Sequence, residues 1–282
     1  MSLPKNNLTE DIVSIILCAG EGIRIREFIQ NIPKSLIKVY NKPILYHLIS
    51  SLIRLKINSI FIITGHLREE IELYISSLFR KDESLKKKIL LINSGNRYKK
   101  GPLYSFLSLT IRSEFIKENK IYLVFPGDTY FEPNLLEEIY HSIANNITHL
   151  KNKSMIFYQK IKAIELKTQF KSKKLVSHVK IVKNGSKQII KEIQQKELIE
   201  IDNNKEINQI IPIFVLNYKM IIKIIEAEKN LSAVTIIEVL NHIIKQENIL
   251  YPILINPFYR FIDIDTKSDL MSLKQKKKGK GQ

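Results

Sequence analysis

The chain has 282 residues, of which 44% are hydrophobic and 26% are charged, so its composition is that of a globular protein and excludes a wholly disordered one. Lys and Arg outnumber Asp and Glu by 45 to 28, which gives a net charge of +17. No basic motif interleaved with aromatic residues, as a nucleic-acid-binding protein would have, accompanies this charge. A basic surface would attract phosphorylated small molecules as well as nucleic acid. The one cysteine, Cys18, excludes an intrachain disulfide and a cysteine-based zinc site, and no apolar run reaches the roughly 18 residues of a membrane span, so we expect a cytoplasmic protein.

The first half of the chain alternates strand-like apolar runs with helix-like segments. Strands are predicted at 13–18, 59–64, 88–92 and 121–125, and helices at 44–55, 69–78 and 103–111. This alternation predicts an α/β fold with a doubly wound sheet. Ligands of such sheets bind beyond the carboxyl ends of the strands, where the loop at Gly20, the residue Gly65 and the acidic residue Asp128 all fall.

The pattern changes from about Lys151 onward. Strands are predicted at 154–159, 176–182, 188–193, 210–216 and 249–255, and helices at 218–228 and 235–246. Asn184 and Gly185 form a hairpin turn signal between two of these strands, and Pro212 puts its strand at an edge or at a bulge. The second half is therefore expected to add a mixed, partly antiparallel sheet that closes over a substrate.

A glycine-containing loop follows the first strand, in segment 17–36 (LCAGEGIRIREFIQNIPKSL). Gly20 and Gly22 let the backbone approach a ligand and point N–H groups at an anion. Arg24 can bond phosphate oxygens in a fork, and Lys34 adds a charge from the far side of the loop. The segment lacks the Gly-Lys-Ser/Thr ending of a P-loop, and its glycines do not fit a dinucleotide fingerprint. Taken alone, these residues fit a structural turn as well as a polyphosphate site.

The same segment resembles the signature of the nucleotidyltransferases that make nucleotide sugars and related activated alcohols. That signature is Ala-Gly-x-Gly-x-Arg followed, nine positions on, by Pro-Lys-x-Leu. The matching residues are Ala19, Gly20, Gly22, Arg24, Pro33, Lys34 and Leu36. The resemblance implies catalytic roles for Arg24 and Lys34, and it implies nucleotide contacts at Ala19, Gly20, Glu21 and Gly22.

Three later segments match the family in the same order. Segment 65–71 (GHLREEI) is similar to the strand-to-helix element of the family, with His66 in place of the usual aromatic residue. Asp128 ends a Pro-Gly-Asp stretch that resembles the Gly-Asp in which the family's aspartate holds Mg²⁺. Segment 261–270 (FIDIDTKSDL) is similar to the Trp-x-Asp-Ile-Asp-Thr-Pro-Glu-Asp-Leu segment near the end of many members.

These segments supply three candidate metal ligands. Mg²⁺ takes hard oxygen ligands, and Asp128 at a strand end can face a ligand, although a turn aspartate fits the local sequence too. Asp263 and Asp265 are one residue apart, so on a strand both would point to one face. They also fit a turn before a helix near Thr266, with a capping role. With the resemblance, we predict a Mg²⁺ site formed by Asp128, Asp263 and Asp265.

Segment 93–108 occupies the place where family members bind the base. It is similar to the Lys-Gly-Asn-Gly-x-Ser-Leu stretch of inositol phosphate cytidylyltransferases, but Pro102 and Leu103 replace the Asn-Gly. The resemblance implies that Gly101 and Ser105 contact the nucleotide. The departure leaves the choice among CTP, UTP, dTTP, GTP and ATP open.

Several basic residues fit more than one role. Arg97, Lys99 and Lys100 fit an exposed basic turn as well as a site that steers phosphate groups. Lys196 follows a predicted strand and falls where relatives place a lysine that binds the acceptor phosphate, so the resemblance implies a substrate-binding role for it.

The resemblance also implies an overall organisation. We expect a Rossmann-like doubly wound mixed sheet, of the glycosyltransferase-A-like nucleotidyltransferase fold, over residues 12–273. Residues 12–150 would form the nucleotide-binding half, and residues 151–273 a substrate-binding half with a partly antiparallel subsheet. Residues 1–11 would be an N-terminal extension, and residues 274–282 a disordered basic tail.

The activity implied is Mg²⁺-dependent transfer of a nucleoside monophosphate from a nucleoside triphosphate to a small phosphorylated sugar, polyol or amino alcohol. Two alternatives stay open at this point. One is a catalytically silent regulatory or binding subunit on the same fold, and the other, supported by charge alone, is a basic nucleic-acid-binding protein. The sequence leaves both a monomer and a homo-oligomer open.

Overall fold

The computed structural model describes residues 11–29, 31–170, 174–185, 187–247 and 249–269. Most of the expected N-terminal extension, the basic tail at 274–282 and Leu270 lie outside the described residues. The strands are β1 Ile12–Leu17, β2 Lys38–Val39, β3 Lys42–Pro43, β4 Ile60–Thr64, β5 Ile89–Asn93, β6 Ile121–Pro126, β7 Thr129–Phe131, β8 Ser154–Lys162, β9 Leu175–Asn184, β10 Lys187–Glu197, β11 Glu206–Asn217, β12 Leu250–Leu254 and β13 Phe261–Asp263. The α-helices are α1 Arg26–Ile29, α2 Ile44–Arg54, α3 Arg68–Lys81, α4 Pro102–Phe106, α5 Pro133–Asn145, α6 Ile147–Leu150, α7 Ala163–Gln169, α8 Tyr218–Glu228 and α9 Ile236–Gln246.

The main sheet runs through both halves of the chain. In the part of the chain that the structure describes, it has nine strands; the path is β10-β9-β11-β6-β1-β4-β5, with β8 beside β11 and β12 beside β8. β1 pairs in parallel with β4 and with β6, and β4 pairs in parallel with β5. These strands are continuous apolar runs because helices cover both of their faces. The predicted fold class, a doubly wound mixed sheet, is confirmed.

β11 joins the two halves of the sheet. It pairs antiparallel with β6 and β9 along one edge and with β8 along the other. The register of β11 shifts between Ile211 and Phe214, so Pro212 lies at a bulge inside the sheet and not on an edge strand. The predicted hairpin joins β9 to β10, and Gly185 in its turn has a φ of 61°.

The core lies on both faces of the sheet because neighbouring strand residues point to opposite sides. On one face, Ile16 of β1 and Ile62 of β4 pack in a cluster with α2, α3 and α5. On the other face, Ile15 of β1 packs in a cluster with α4, α8 and α9. A third, smaller cluster that includes Ile25 and Ile264 lies beneath the glycine loop.

Some elements differ from the sequence-based expectation. α5 and the antiparallel pair of β7 with β13 were not predicted, although the pair carries part of the candidate site. α4 ends at Phe106, and residues Leu107–Ile111 continue as a 3₁₀ helix, where one helix at 103–111 was expected. None of the helices in the described residues is long and apolar enough to cross a membrane.

Candidate functional site

A cavity of about 650 Å³ opens beyond the carboxyl ends of β1 and β6. Its walls come from the loop after β1, the segment around α4, the ends of β6 and β13, and the antiparallel strands β9 to β11. Lys196 is the one predicted site residue that does not line it. The others all do: Ala19, Gly20, Glu21, Gly22, Arg24, Lys34, Gly101, Ser105, Asp128, Asp263 and Asp265.

The glycine loop presents open backbone to this cavity. No atom lies within 4 Å of the place where a Gly20 side chain would begin, so a ligand can approach the backbone there. Gly22 is left-handed with a φ of 62°, and a Cβ on it would lie 3.0 Å from Cγ of Lys34. Ile25, which is fully buried, anchors the end of the loop in the core. The loop therefore combines an exposed backbone with a fixed end, as an anion-binding turn requires.

Three carboxylates meet beside the glycine loop. Asp128 follows β6, and the pairing of β7 with β13 brings Asp263 beside it. The three side chains of Asp128, Asp263 and Asp265 each offer an oxygen within 4.8 Å of the others. Thr129 Oγ1 donates to Asp263 Oδ1 at 3.3 Å, while Ile264, between the two later aspartates, is fully buried on the opposite side. The predicted arrangement of Asp263 and Asp265 towards one side is thus present.

Two cations from segment 17–36 approach these carboxylates. Lys34 Nζ donates to Asp265 Oδ1 at 2.7 Å and to Asp128 Oδ2 at 3.2 Å. Arg24 Nη1 lies 3.7 Å from Asp265 Oδ2. The Lys34 side chain is 13% exposed, whereas that of Arg24 is 71% exposed. Lys34 is therefore held inside the site, and Arg24 stands at its mouth.

The electrostatics of the cluster follow from this crowding. Burial raises the pKa of Asp263 well above its usual range, and the charges of Asp128 and Asp265 raise it further. Burial would also raise the pKa of Asp265, but the charge and hydrogen bond of Lys34 outweigh it and hold that pKa below its usual range. For Lys34 itself, burial opposes the charge, yet Asp128 and Asp265 raise its pKa overall. The site therefore places one ammonium group, whose charged form Asp128 and Asp265 stabilise, among acidic side chains that crowd one another.

This donor set fits Mg²⁺. The ion takes oxygen ligands and is commonly bound by one or two carboxylates together with phosphate oxygens and water. Three carboxylate oxygens converge here, and the charge that raises the pKa of Asp263 is the charge that a divalent cation would neutralise.

A further wall of the cavity contains Gly101 and Ser105. Gly101 has a φ of 121°, and a Cβ there would meet Val234 Cγ1 and would lie 2.7 Å from the Val234 carbonyl oxygen. Ser105 is buried in α4, with its hydroxyl 3.5 Å from the Gly101 carbonyl oxygen. Glycine at position 101 thus lets the segment pass close to Val234, two residues before α9.

The basic residues of this wall divide into two groups. Lys99 lines the cavity. Arg97 Nη1 instead donates to the Leu107 carbonyl at 3.0 Å, and Lys100 Nζ lies 5.3 Å from the centre of the Tyr104 ring. Of the two readings of this basic turn, phosphate steering fits Lys99, and a structural role fits Arg97 and Lys100.

Lys196 lies on β10, exposed and outside the cavity lining. Its neighbour Gln195 lines the cavity together with Ser177 of β9, and Gln195 Nε2 donates to Ser177 Oγ at 3.1 Å. Adjacent residues of a strand face opposite ways, so Gln195, not Lys196, turns towards the cavity. The substrate-binding role of Lys196 stays a prediction, and the geometry favours Gln195 for a direct contact.

Two further residues of the loop have defined partners. Glu21 Oε2 accepts a hydrogen bond from Arg26 at 2.9 Å while Glu21 lines the cavity. Cys18 is buried, and burial raises the pKa of its thiol to about 12. Since a thiol nucleophile reacts as the thiolate, the buried Cys18 is assigned a packing role.

Sequence reasoning did not single out Thr129, Ser177, Gln195 and Phe214, which all line the cavity. Thr129 carried a usable signal, because a hydroxyl directly after a candidate metal ligand can hold a second carboxylate. The other three carried none, since which residues of β9 to β11 face the cavity depends on strand register and on the bulge at Pro212.

Comparison with known proteins yields matches over different parts of the chain. The model of the nucleotidyl transferase family matches residues 13–163. The bifunctional protein GlmU of Methanocaldococcus jannaschii is 30% identical over 139 residues, which are 49% of this chain and 30% of that protein. The matched segment is therefore less than a third of that relative's length.

Solved structures match over nearly the whole chain. The CTP:phosphocholine cytidylyltransferase of Streptococcus pneumoniae superposes with a TM-score of 0.62 at 19% identity, covering 94% of this chain and 98% of that one. The inositol-1-phosphate CTP transferase of T. maritima superposes with a TM-score of 0.63 at 17% identity, covering 95% of this chain and 97% of that one. At such identities the likeness is one of fold alone.

Proposed function

The chain belongs to the nucleotidyl transferase family, as the resemblance in segment 17–36 predicts, and from this premise we propose that it transfers a nucleoside monophosphate from a nucleoside triphosphate to a sugar, polyol or amino-alcohol phosphate. Pyrophosphate is the second product. One observation carries the proposal: the carboxylates of Asp128, Asp263 and Asp265 meet Lys34 and the open glycine loop at one end of a single cavity.

The reaction balances as an in-line displacement at phosphorus. An oxygen of the acceptor phosphate attacks the α-phosphorus of the triphosphate and forms a new P–O bond. The bond between the α-phosphorus and the oxygen bridging to the β-phosphorus breaks, and that oxygen leaves with pyrophosphate. No protein nucleophile is needed, which agrees with the buried, protonated thiol of Cys18.

The loop and its cations would bind the triphosphate. Backbone N–H groups of the loop around Gly20, where a Cβ would meet no atom within 4 Å, would donate to phosphate oxygens. Arg24 at the cavity mouth can bond two phosphate oxygens at once. Lys34 would place its ammonium group where negative charge develops as the leaving group departs. Gly101 and Ser105 would contact the nucleotide from a further wall of the cavity.

The carboxylates would supply the metal side of the reaction. Asp128, Asp263 and Asp265 would hold Mg²⁺ through one oxygen each. When bound, the ion would neutralise charge on the phosphates and orient them for attack. The triphosphate-binding loop and the carboxylates line the same end of the cavity, so a triphosphate bound there would contact both.

The acceptor would lie towards the antiparallel strands, in the half of the chain proposed to bind substrate. Ser177 and Gln195 offer a hydroxyl and an amide there, and Phe214 adds an aromatic surface. These groups can hydrogen-bond or pack against an organic alcohol, while the cations of the loop attract its phosphate.

A pyrophosphate-release screen tests this function. The folded chain is incubated with Mg²⁺ and each of CTP, UTP, dTTP, GTP and ATP, against sugar, polyol and amino-alcohol phosphates. We expect release with at least one pair, dependent on both substrates, and a nucleotide-linked product of matching mass. A uniformly negative screen with folded protein would contradict the proposal and favour a silent subunit on the same fold. Tight, salt-sensitive binding to random DNA or RNA without any release would favour the nucleic-acid reading.

A further inference from the structure

A buried ion pair lies behind the carboxylate cluster and has no part in the proposed reaction. Lys174, directly before β9, is 8% exposed, and its Nζ lies 3.1 Å from Oδ1 of Asp269, which is fully buried. Removing two charges from water is costly, so such a pair persists where further hydrogen bonds satisfy both groups. The partners of those further hydrogen bonds indicate what the pair does.

The lysine end of the pair holds the backbone of Asp263. Lys174 Nζ donates to the Asp263 carbonyl oxygen at 2.6 Å, and it lies 4.2 Å from the centre of the Phe170 ring. Its ammonium group thus has a carboxylate, a carbonyl and an aromatic face as partners. The Lys174 side chain therefore holds Asp263 directly.

The Asp269 carboxylate binds the backbone of Asp265 and Thr266. Asp269 Oδ2 accepts hydrogen bonds from Asp265 N at 3.0 Å, from Thr266 N at 2.8 Å and from Thr266 Oγ1 at 2.9 Å. Asp269 N in turn donates to Thr266 Oγ1 at 3.3 Å. Asp269, the ion-pair partner of Lys174, therefore holds Asp265 in place.

Both ends of the pair thus converge on the three residues 263–265. The third aspartate, Asp128, lies in the turn between β6 and β7, and its backbone carbonyl accepts a hydrogen bond from Ile264 N at 3.2 Å. An apolar pair of similar volume could fill the space behind the cluster, but it would leave the Asp263 carbonyl and the Asp265 amide without these partners. Packing alone does not account for the pair.

We propose that Lys174 and Asp269 are positioning residues that hold Asp263 and Asp265 in place beside Asp128. The inference rests on the proposed function, in which these carboxylates bind the metal. Groups that hydrogen-bond to metal-ligating residues typically change metal affinity by roughly 10- to 100-fold. Lys174 directly precedes β9 of the proposed substrate-side half, so it ties that half to the carboxylate cluster.

The test measures metal affinity and local backbone protection separately, on the full chain. Mn²⁺ alone is titrated by electron paramagnetic resonance, and hydrogen exchange of peptides covering 261–269 is followed without metal. The variants are Lys174→Met, the charge-retaining Lys174→Arg and the milder Thr266→Val. Lys167→Met is the matched control, because Lys167 Nζ also holds a backbone carbonyl, that of Ile201 at 2.6 Å, but does not contact segment 263–269.

We expect Lys174→Met to raise the Mn²⁺ dissociation constant by roughly 10- to 100-fold and to speed exchange across 261–269. Lys174→Arg should recover most of the affinity, Thr266→Val should lose a smaller factor, and Lys167→Met should match the wild type. A folded Lys174→Met protein with wild-type affinity overturns the inference, even if it is less stable. If Lys174→Met does not fold, Thr266→Val decides in the same way: weaker binding supports the inference and unchanged binding overturns it.

The design separates this inference from the proposed function. If the wild type binds no Mn²⁺, the proposed metal site fails, and the exchange measurement alone decides whether Lys174 positions the segment. Faster exchange in Lys174→Met then supports the positioning role, and unchanged exchange overturns it.

Discussion

At the scale of single residues, Arg24 and Lys34 approach the same carboxylate, Asp265, from different surroundings. The Lys34 side chain is enclosed by two ion pairs, whereas most of the Arg24 side chain is exposed. Exposed side chains contribute little to stability, typically within about 0.5 kcal/mol. Substituting Arg24 should therefore lower activity with less change in stability than substituting Lys34.

We expect Arg24→Gln to lower turnover by roughly 10²- to 10³-fold, the usual effect of removing a group that stabilises developing charge. Its urea denaturation midpoint should match that of the wild type. Arg112→Gln is the matched control, since Arg112 is also an exposed arginine in an ion pair, with Glu114 at 3.5 Å, and lies outside the cavity lining. Equal turnover in the two variants would remove Arg24 from the site.

Gly101 gives a second residue-scale prediction. A Cβ at this position meets Val234, whereas a Cβ at Gly95, which also has a positive φ of 56°, meets nothing within 4 Å. Comparing Gly101→Ala with Gly95→Ala therefore measures the steric contact together with the greater backbone strain at Gly101, whose φ of 121° and ψ of 176° lie in a region that essentially only glycine adopts. We expect Gly101→Ala to lose about 1–3 kcal/mol more unfolding free energy in urea denaturation than Gly95→Ala, as overpacking does. Equal losses would mean that the segment moves freely away from Val234.

Residue identities were predictable from sequence where a strand end or a fixed spacing determines the position. Asp128 follows an apolar strand, and Asp263 and Asp265 have the spacing that places two side chains on one side. The choice between Gln195 and Lys196 was not predictable in this way, because β10 has a register irregularity between Ile190 and Glu192 that sets which residues face inwards. A one-residue error in register reverses the face of every side chain.

At the scale of elements, the residues that cap the start of α9 also belong to or pack against the cavity wall. Thr235 and Glu238 form a capping box, in which Glu238 Oε2 accepts hydrogen bonds from Val234 N at 2.6 Å and Thr235 N at 2.9 Å. Hydrogen bonds from these two amides lower the pKa of Glu238 below its usual range. The cap fixes Val234, which packs against Gly101, and Thr235, which lines the cavity.

A pH dependence follows from this cap. Because the folded-state pKa of Glu238 is lowered, its stabilisation is present above the unfolded pKa and is lost as the pH falls through the folded pKa. We expect Glu238→Gln to cost up to about 1 kcal/mol of unfolding free energy at pH 7, reduced by solvent screening. The difference from wild type should shrink as the pH falls below about 4.5. Both unfolding free energies are measured by urea denaturation, and a difference between Glu238→Gln and wild type that stays constant across this pH range would exclude an electrostatic cap. Glu83→Gln is the control, because Glu83 belongs to an exposed ion pair.

Elements were predictable in proportion to their length and periodicity. α8 begins and ends where the sequence predicts, and α5 carried a signal that was overlooked: Pro133 at its first turn is followed by Leu136, Ile139 and Ile143 at helical spacing. The pair of β7 and β13 carried no such signal. Each strand has three residues, and Thr129 pairs with Asp263, 134 positions further along the chain, so tertiary structure alone brings them together.

At the scale of the whole molecule, the two proposed halves, 12–150 and 151–273, share one sheet and one core. β11 of the second half pairs with β6 of the first, and Phe157 and Val215 belong to the same buried cluster as Ile16. A half expressed alone would expose the edge of β6 and much of that cluster.

We therefore expect residues 12–150 expressed alone to lack a cooperative thermal transition by circular dichroism. The full chain should unfold in a single transition that coincides for circular dichroism and tyrosine fluorescence. A folded, cooperatively melting fragment of residues 12–150 would show that the halves are independent domains.

The metal-dependent transfer of a nucleotide at the carboxylate cluster is tested most directly by one measurement. Pyrophosphate release is followed as a function of Mg²⁺ concentration for the wild type, for Asp128→Asn and for Asp202→Asn, a turn aspartate that caps Asn204 N at 2.8 Å outside the cavity lining. We predict that Asp202→Asn behaves as the wild type, while Asp128→Asn loses roughly 10²-fold or more in turnover and needs more Mg²⁺, with an unchanged denaturation midpoint. Full Mg²⁺-dependent activity in Asp128→Asn would contradict the metal assignment.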